Sequence, residues 1–274
     1  MTPLLHALYH QPWLITPETH SAMHRALSRL ELFTKDSPLP APPELLSVED
    51  GVGIVTIHGA LMKRPDFFAR LLLGATDMED VAAALEAARD RADVQAVFLD
   101  VDSPGGTVNG TPELAALVAE VSKAKYTYAF TDGQMCSAAY WIASQADAIF
   151  ATPSARVGSI GVLLPMLDET KAFEQAGLKV ELFAAGKYKS VGAAGTAITD
   201  EQRAWLQAQV DETYADFKAA VLARGRRITP DTMEGQCFSG RKASYNSLTS
   251  GVVASRVAAL MKLRERHVGT GSAS

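Results

Sequence analysis

From about Val52 onward, the chain alternates short apolar runs with longer stretches of helical spacing. Val52–His58 is short and β-branched, and Ala96–Val101 (AVFLDV) is a compact apolar run that suits a strand buried on both faces of a parallel sheet. Tyr126–Phe130, Ala148–Ala151, Val162–Leu164 and Val180–Ala184 read as further strands. Between them, Asp77–Arg91, Pro112–Lys123 and Ser137–Gln145 have helical spacing or small, helix-forming residues, and Glu201–Arg224 is a long amphipathic helix. Strands separated by helices predict repeated β-α units and a mostly parallel sheet, that is, an α/β fold.

The first 48 residues break this pattern. An amphipathic stretch at Pro17–Phe33 leads into SPLPAPPELL (37–46), where the prolines favour an extended link. The expected organisation is an N-terminal helical appendage and link at 1–48, a main domain at 49–264 and a flexible tail at 265–274.

Composition narrows the chemistry. Of 274 residues, 47% are apolar and 21% charged, enough for a sizeable core. The formal charge is −5 with no basic block, so no nucleic-acid partner is expected. Two cysteines, Cys136 and Cys237, make neither a disulfide framework nor a metal-ligand spacing, and no HExxH pair occurs. Neither metal nor cofactor is expected. The N-terminus does not read as a signal peptide, and no run of about 18 apolar residues is present. No membrane association is expected, and a cytoplasmic location is.

Four segments could carry chemistry, each at the end of a strand. Asp102-Ser103-Pro104-Gly105-Gly106 follows AVFLDV, and its glycine pair lets backbone N–H groups approach a ligand. Alone, it reads as a tight turn. Ser137, in DGQMCSAAYWIA, falls where a helix opens, and alone reads as a helix cap. Cys136 is a rival nucleophile, though a small buried thiol explains it more simply. A hydroxyl nucleophile needs a base, and no histidine lies between His58 and His267. A lysine serves when desolvation favours its neutral form. Gly186-Lys187-Tyr188-Lys189-Ser190 offers two at another strand end. Arg156-Val157-Gly158-Ser159-Ile160-Gly161-Val162 places a serine between glycines, where it could orient an amine. Active sites of open α/β sheets gather at the carboxyl ends of strands, so the order of these segments says more than any one of them.

The segments DSPGG (102–106), DGQMCSAAYWIAS (132–144), RVGSIGV (156–162) and GKYKS (186–190) together resemble the signal peptide peptidase A family of Ser-Lys serine proteases. The resemblance runs from about Val52 to Met261 and is closest to the branch of phage head-maturation, or capsid assembly, proteases. It implies a Clp protease/crotonase-like ββα spiral. It implies Ser137 as nucleophile, Lys189 rather than Lys187 as general base, Ser159 as the group holding the lysine, and Gly105 and Gly106 as oxyanion donors. An extended protein or peptide substrate is expected along Gly106, Thr107 and Val108 and along Ile160 and Gly161. The alanine-rich surroundings suggest small residues beside the cut. The resemblance further implies a homo-oligomeric ring with each site shared between subunits, and capsid or scaffold proteins as partners in the host cytoplasm or prohead. Rival readings are a bacterial peptidase that clears signal-peptide remnants, a crotonase-type acyl-CoA enzyme and a non-catalytic capsid scaffold.

Overall fold

The computed structural model describes residues 8–27, 44–225 and 227–268. In chain order these form β1 (Trp13–Ile15), α1 (Pro17–Leu27), β2 (Leu46–Glu49), β3 (Val52–His58), β4 (Leu61–Met62), α2 (Phe67–Leu73), β5 (Thr76–Asp77), α3 (Met78–Asp90), β6 (Ala96–Asp102), β7 (Gly105–Thr107), α4 (Thr111–Ala124), β8 (Tyr126–Thr131), β9 (Gln134–Cys136), α5 (Ala138–Ala143), β10 (Ala148–Ala151), β11 (Arg156–Gly158), α6 (Thr170–Gln175), α7 (Asp200–Ala223), β12 (Cys237–Ser239), α8 (Gly240–Tyr245), β13 (Gly251–Val252) and α9 (Arg256–His267).

Three sheets stack. The largest runs β13-β10-β8-β6-β3-β2 and is parallel except at β2. A second runs β1-β7-β4-β5 and a third β12-β11-β9. A long strand of the main sheet leads repeatedly into a short strand of another layer and then a helix: β6-β7-α4, then β8-β9-α5. This is the ββα spiral expected of the sequence.

The parallel strands are apolar on both faces because both faces are covered. Val55, Ile57, Val97, Leu99 and Val101 pack with Val81, Leu85 and Ala88 of α3 and Leu114, Val118 and Val121 of α4. The alternate residues Ile54, Phe98 and Phe130 pack with Ala259, Leu260 and Leu263 of α9. Capping sets the helix starts: Asp77 accepts from the Glu79 N–H at 3.0 Å, and Thr199 forms a capping box with Gln202. Such caps are each worth about 1 kcal/mol.

Two expected strands differ. Val180–Ala184 forms no strand, because nothing among the described residues pairs with it; Leu182 and Phe183 are exposed, Phe183 by 95%. Of Val162–Leu164, only Leu163 pairs, as an isolated antiparallel bridge to Trp13. The stretch expected as an appendage supplies β1, whose three residues are buried, and part of β2, which crosses residue 48. The expected helix at Pro17–Phe33 is described to Leu27. The rest of that helix, most of the proline-rich link and the end of the tail (269–274) lie outside the described residues.

Leu263 is fully buried under the main sheet, whereas Met261 on the same helix is half exposed. Leu263→Ala is expected to cost about 2–5 kcal/mol of stability, and Met261→Ala less than about 0.5 kcal/mol. Denaturant unfolding of the two variants checks this.

Candidate active site

Ser137 stands between β9 and α5. Its backbone is at φ 54°, ψ −120°, a conformation non-glycine residues rarely adopt and one that costs on the order of 1–3 kcal/mol. The fold holds it there: the Ser137 N–H donates to the Gly158 carbonyl at 2.8 Å, and its own carbonyl accepts from the Trp141 N–H at 2.9 Å. The side chain is completely buried, yet Oγ has no hydrogen-bond partner among the described residues. Buried hydroxyls are usually satisfied, and Ser137 shares this lack of a partner with Thr131 and Thr249; it differs from them in its strained backbone. The five residues after Ala138 are all buried, and Trp141 stacks on Phe217 of α7 at 4.7 Å, so α5 is a rigid mount.

Parallel pairing of β9 with β11 sets Cys136 opposite Gly158. Ser137 and Ser159 therefore leave adjacent strand ends side by side. Ser159 has the same positive φ of 54°, is 4% exposed, and donates its N–H to the Gln236 carbonyl at 2.6 Å. Ile160 is buried and Gly161 half-buried just beyond.

The glycine pair is demanded by close approach. Gly105 has φ +108°; a Cβ there would lie 2.0 Å from the Leu14 carbonyl oxygen and 2.9 Å from Ser137 Cβ. A Cβ on Gly106 would lie 1.8 Å from the Leu61 carbonyl oxygen. The turn is stitched to β9 by Ser103 N–H to Gln134 O (2.7 Å), Cys136 N–H to Ser103 O (3.1 Å) and Gln134 N–H to Asp102 Oδ1 (3.0 Å). Ser103 Oγ accepts from the Gly105 N–H at 3.2 Å and donates to the Gly59 carbonyl at 2.7 Å. Of the two expected oxyanion donors, Gly105 thus commits its N–H to the turn. Thr107 is buried and Val108 half-buried where β7 ends.

The two lysines lie apart from Ser137. Lys187 pairs with Glu201, which holds its amine charged above the usual lysine range. Lys189 is exposed in the turns after residue 184, and no hydrogen bond joins it to Ser137 within one chain. The structure therefore brings together Ser137, Ser159, Gly105 and Gly106, but not Lys189.

Cys136 is buried beside a second thiol. Its Sγ lies 3.7 Å from Cys237 Sγ, and that contact, followed by burial, pushes its thiol well above the usual range. Cys237 moves the other way: the hydrogen bond from Cys136, then the Arg156 guanidinium, hold it low, at about 6. The Cys136–Cys237 contact was not legible in the sequence, since 101 residues separate the two. Among the described residues no cluster of His, Cys, Asp or Glu is placed to hold a metal, and no helix is long and apolar enough to cross a membrane.

Ser137 thus stands strained and buried at a strand-to-helix junction, beside a glycine-lined strand. The chain belongs to peptidase family S49, whose family model matches residues 119–267. It is similar to capsid assembly protease C of Escherichia phage lambda, with 29% identity over 231 residues, covering 83% of this chain and 52% of that protein. It is also similar to head-tail preconnector protein GP5 of Enterobacteria phage P21, with 29% identity over 71% of this chain and 38% of that protein. Protease 4 of Salmonella typhi is 24% identical over 79% of this chain and 36% of that protein. The chain spans about half the length of the lambda relative and less of the other two. Among solved structures, an enoyl-CoA hydratase from Shewanella pealeana matches with a TM-score of 0.46 at 12% identity, over 80% of this chain and 71% of that one. The ClpP catalytic domain from Plasmodium falciparum matches with a TM-score of 0.39 at 10% identity, over 73% and 86%.

The depressed Cys237 thiol ionises more readily than an ordinary one, and it is half-buried rather than sealed. Iodoacetamide at pH 7 is expected to modify Cys237 first and Cys136 only after denaturation. Peptide mapping by mass spectrometry reads the order.

Proposed function

We propose that the chain is a serine endopeptidase with Ser137 as nucleophile and Lys189, supplied by a neighbouring copy, as general base. The observation that carries this reading is the buried, unpartnered Ser137 Oγ. A catalytic hydroxyl without an acceptor in its own chain is what a site completed by assembly requires. Lys189 lies in an exposed segment, near apolar side chains at Leu178, Leu182 and Phe183 that one chain leaves in solvent. Packing that segment against a second copy would bury the apolar surface and desolvate the amine, which favours a neutral lysine. Membership of family S49 supports the same assignment.

In this mechanism the Lys189 amine takes the proton as Ser137 Oγ attacks a peptide carbonyl. Ser159, beside Ser137, orients the amine. The Gly106 N–H stabilises the tetrahedral oxyanion, a contribution of about 2.7–4 kcal/mol per donor in such sites. The amine then protonates the leaving nitrogen, and water, deprotonated by the same lysine, releases the acyl group from Ser137. The phage relatives favour capsid or scaffold proteins as substrates, processed within an assembling head.

Ser137→Ala and Lys189→Ala are each expected to lower peptide cleavage by at least about a thousandfold with the fold intact. Because the two residues would come from different subunits, mixing the two inactive variants should restore part of the activity. Full cleavage by either variant alone contradicts the dyad; two inactive variants that never complement place both groups in one chain.

A further inference from the structure

We propose that β1 is a resident occupant of the substrate channel, with Leu14 in the position of the residue whose carbonyl Ser137 attacks. The proposal rests on the Ser137 reading above and names the kind of chain that site accepts.

Strand β7 has two edges and both are filled. β4 pairs with one edge at Leu61↔Gly106. β1 pairs antiparallel with the other, Trp13↔Thr107, Leu14↔Gly106 and Ile15↔Gly105. A substrate strand laid along Gly106–Val108 finds no open edge until β1 leaves. On its other side β1 is bonded to the segment just beyond the second expected substrate edge, Ile160 and Gly161. The Trp13 N–H donates to the Leu163 carbonyl at 2.8 Å, the Leu163 N–H to the Trp13 carbonyl at 3.0 Å, and the His10 N–H to the Pro165 carbonyl at 2.9 Å. β1 is therefore antiparallel to both walls, the geometry of an extended peptide bound by strand addition.

Alternation along a strand assigns the faces. Because the N–H and C=O of Trp13 face Leu163, those of Leu14 face β7 opposite Gly106. The Leu14 carbonyl oxygen and Ser137 Cβ then converge on Gly105, 2.0 and 2.9 Å from where its Cβ would stand. The Leu14 side chain, fully buried, enters the main core, whereas Trp13 and Ile15 pack with Leu8, Met23 and Ala60. With Leu14 in that position, the residue before the cut is a branched aliphatic one, larger than the alanine-rich surroundings suggested. Preferred substrates are extended segments with leucine at that position. β1 is tethered by α1 and by the Thr16 N–H to the Pro104 carbonyl (3.1 Å), so it competes as a local strand with a high effective concentration. The intact chain is restrained until β1 is displaced.

The test uses the full-length assembled protein and the probe acetyl-Pro-Trp-Leu diphenyl phosphonate, whose phosphorus bonds to the serine oxygen with loss of phenol. In the modified protein, the amides of residues 13–15 are expected to exchange with deuterium at least tenfold faster than in the free protein. Leu14→Asp, which loosens β1, should be modified at Ser137 at least tenfold faster than wild type. Modification with those amides still protected overturns the proposal and leaves the peptidase standing. A Leu14→Asp protein with a loosened β1 and an unmodified Ser137 overturns the nucleophile assignment itself. If Leu14→Asp does not fold, the exchange comparison on wild type decides alone.

Discussion

The parallel hydrogen bonding of β9 to β11 is the constraint on which the site depends. It sets Cys136 opposite Gly158, so that Ser137 and Ser159 emerge together, and it supplies the Gly158 carbonyl that fixes the Ser137 N–H. The strained backbone of Ser137 persists because its neighbours over-determine it: β11 on one side, the buried α5 beyond, and the Gly105 backbone pressed against its side chain. α5 has only six residues, so backbone rigidity rather than a long helix dipole defines this position.

The same logic explains the glycines. Gly105 and Gly106 lie where three backbones meet, with Leu14, Leu61 and Ser137 all too close for any Cβ. The turn that bears them is tied to β9 through Ser103 and Asp102, so the glycine-lined strand and Ser137 are held together. Lys189 sits elsewhere, on an exposed stretch that follows the exposed apolar side chains Leu178, Leu182 and Phe183.

β1 changes how the cleft is understood. A strand read as part of an appendage lies between β7 and Leu163. Its register brings the Leu14 carbonyl oxygen and Ser137 Cβ to the same glycine, Gly105, so one short segment closes the fold where the substrate strand is proposed to lie.

The sequence alone determined the β-α alternation, because strands covered on both faces must be continuously apolar and the helices between them must show helical spacing. Ala148–Ala151 and Val52–His58 were legible to the residue for that reason. It also singled out Ser137, Ser159 and the glycine pair as candidates, since each lies in a short local segment at the end of an apolar run. Only the tertiary structure decided that Val180–Ala184 pairs with none of the described residues, that Cys136 touches Cys237, and that Trp13–Ile15 lies between β7 and Leu163. Each depends on whether residues far apart in the chain meet, and hydrophobic pattern records that a segment will be buried or extended but not against what.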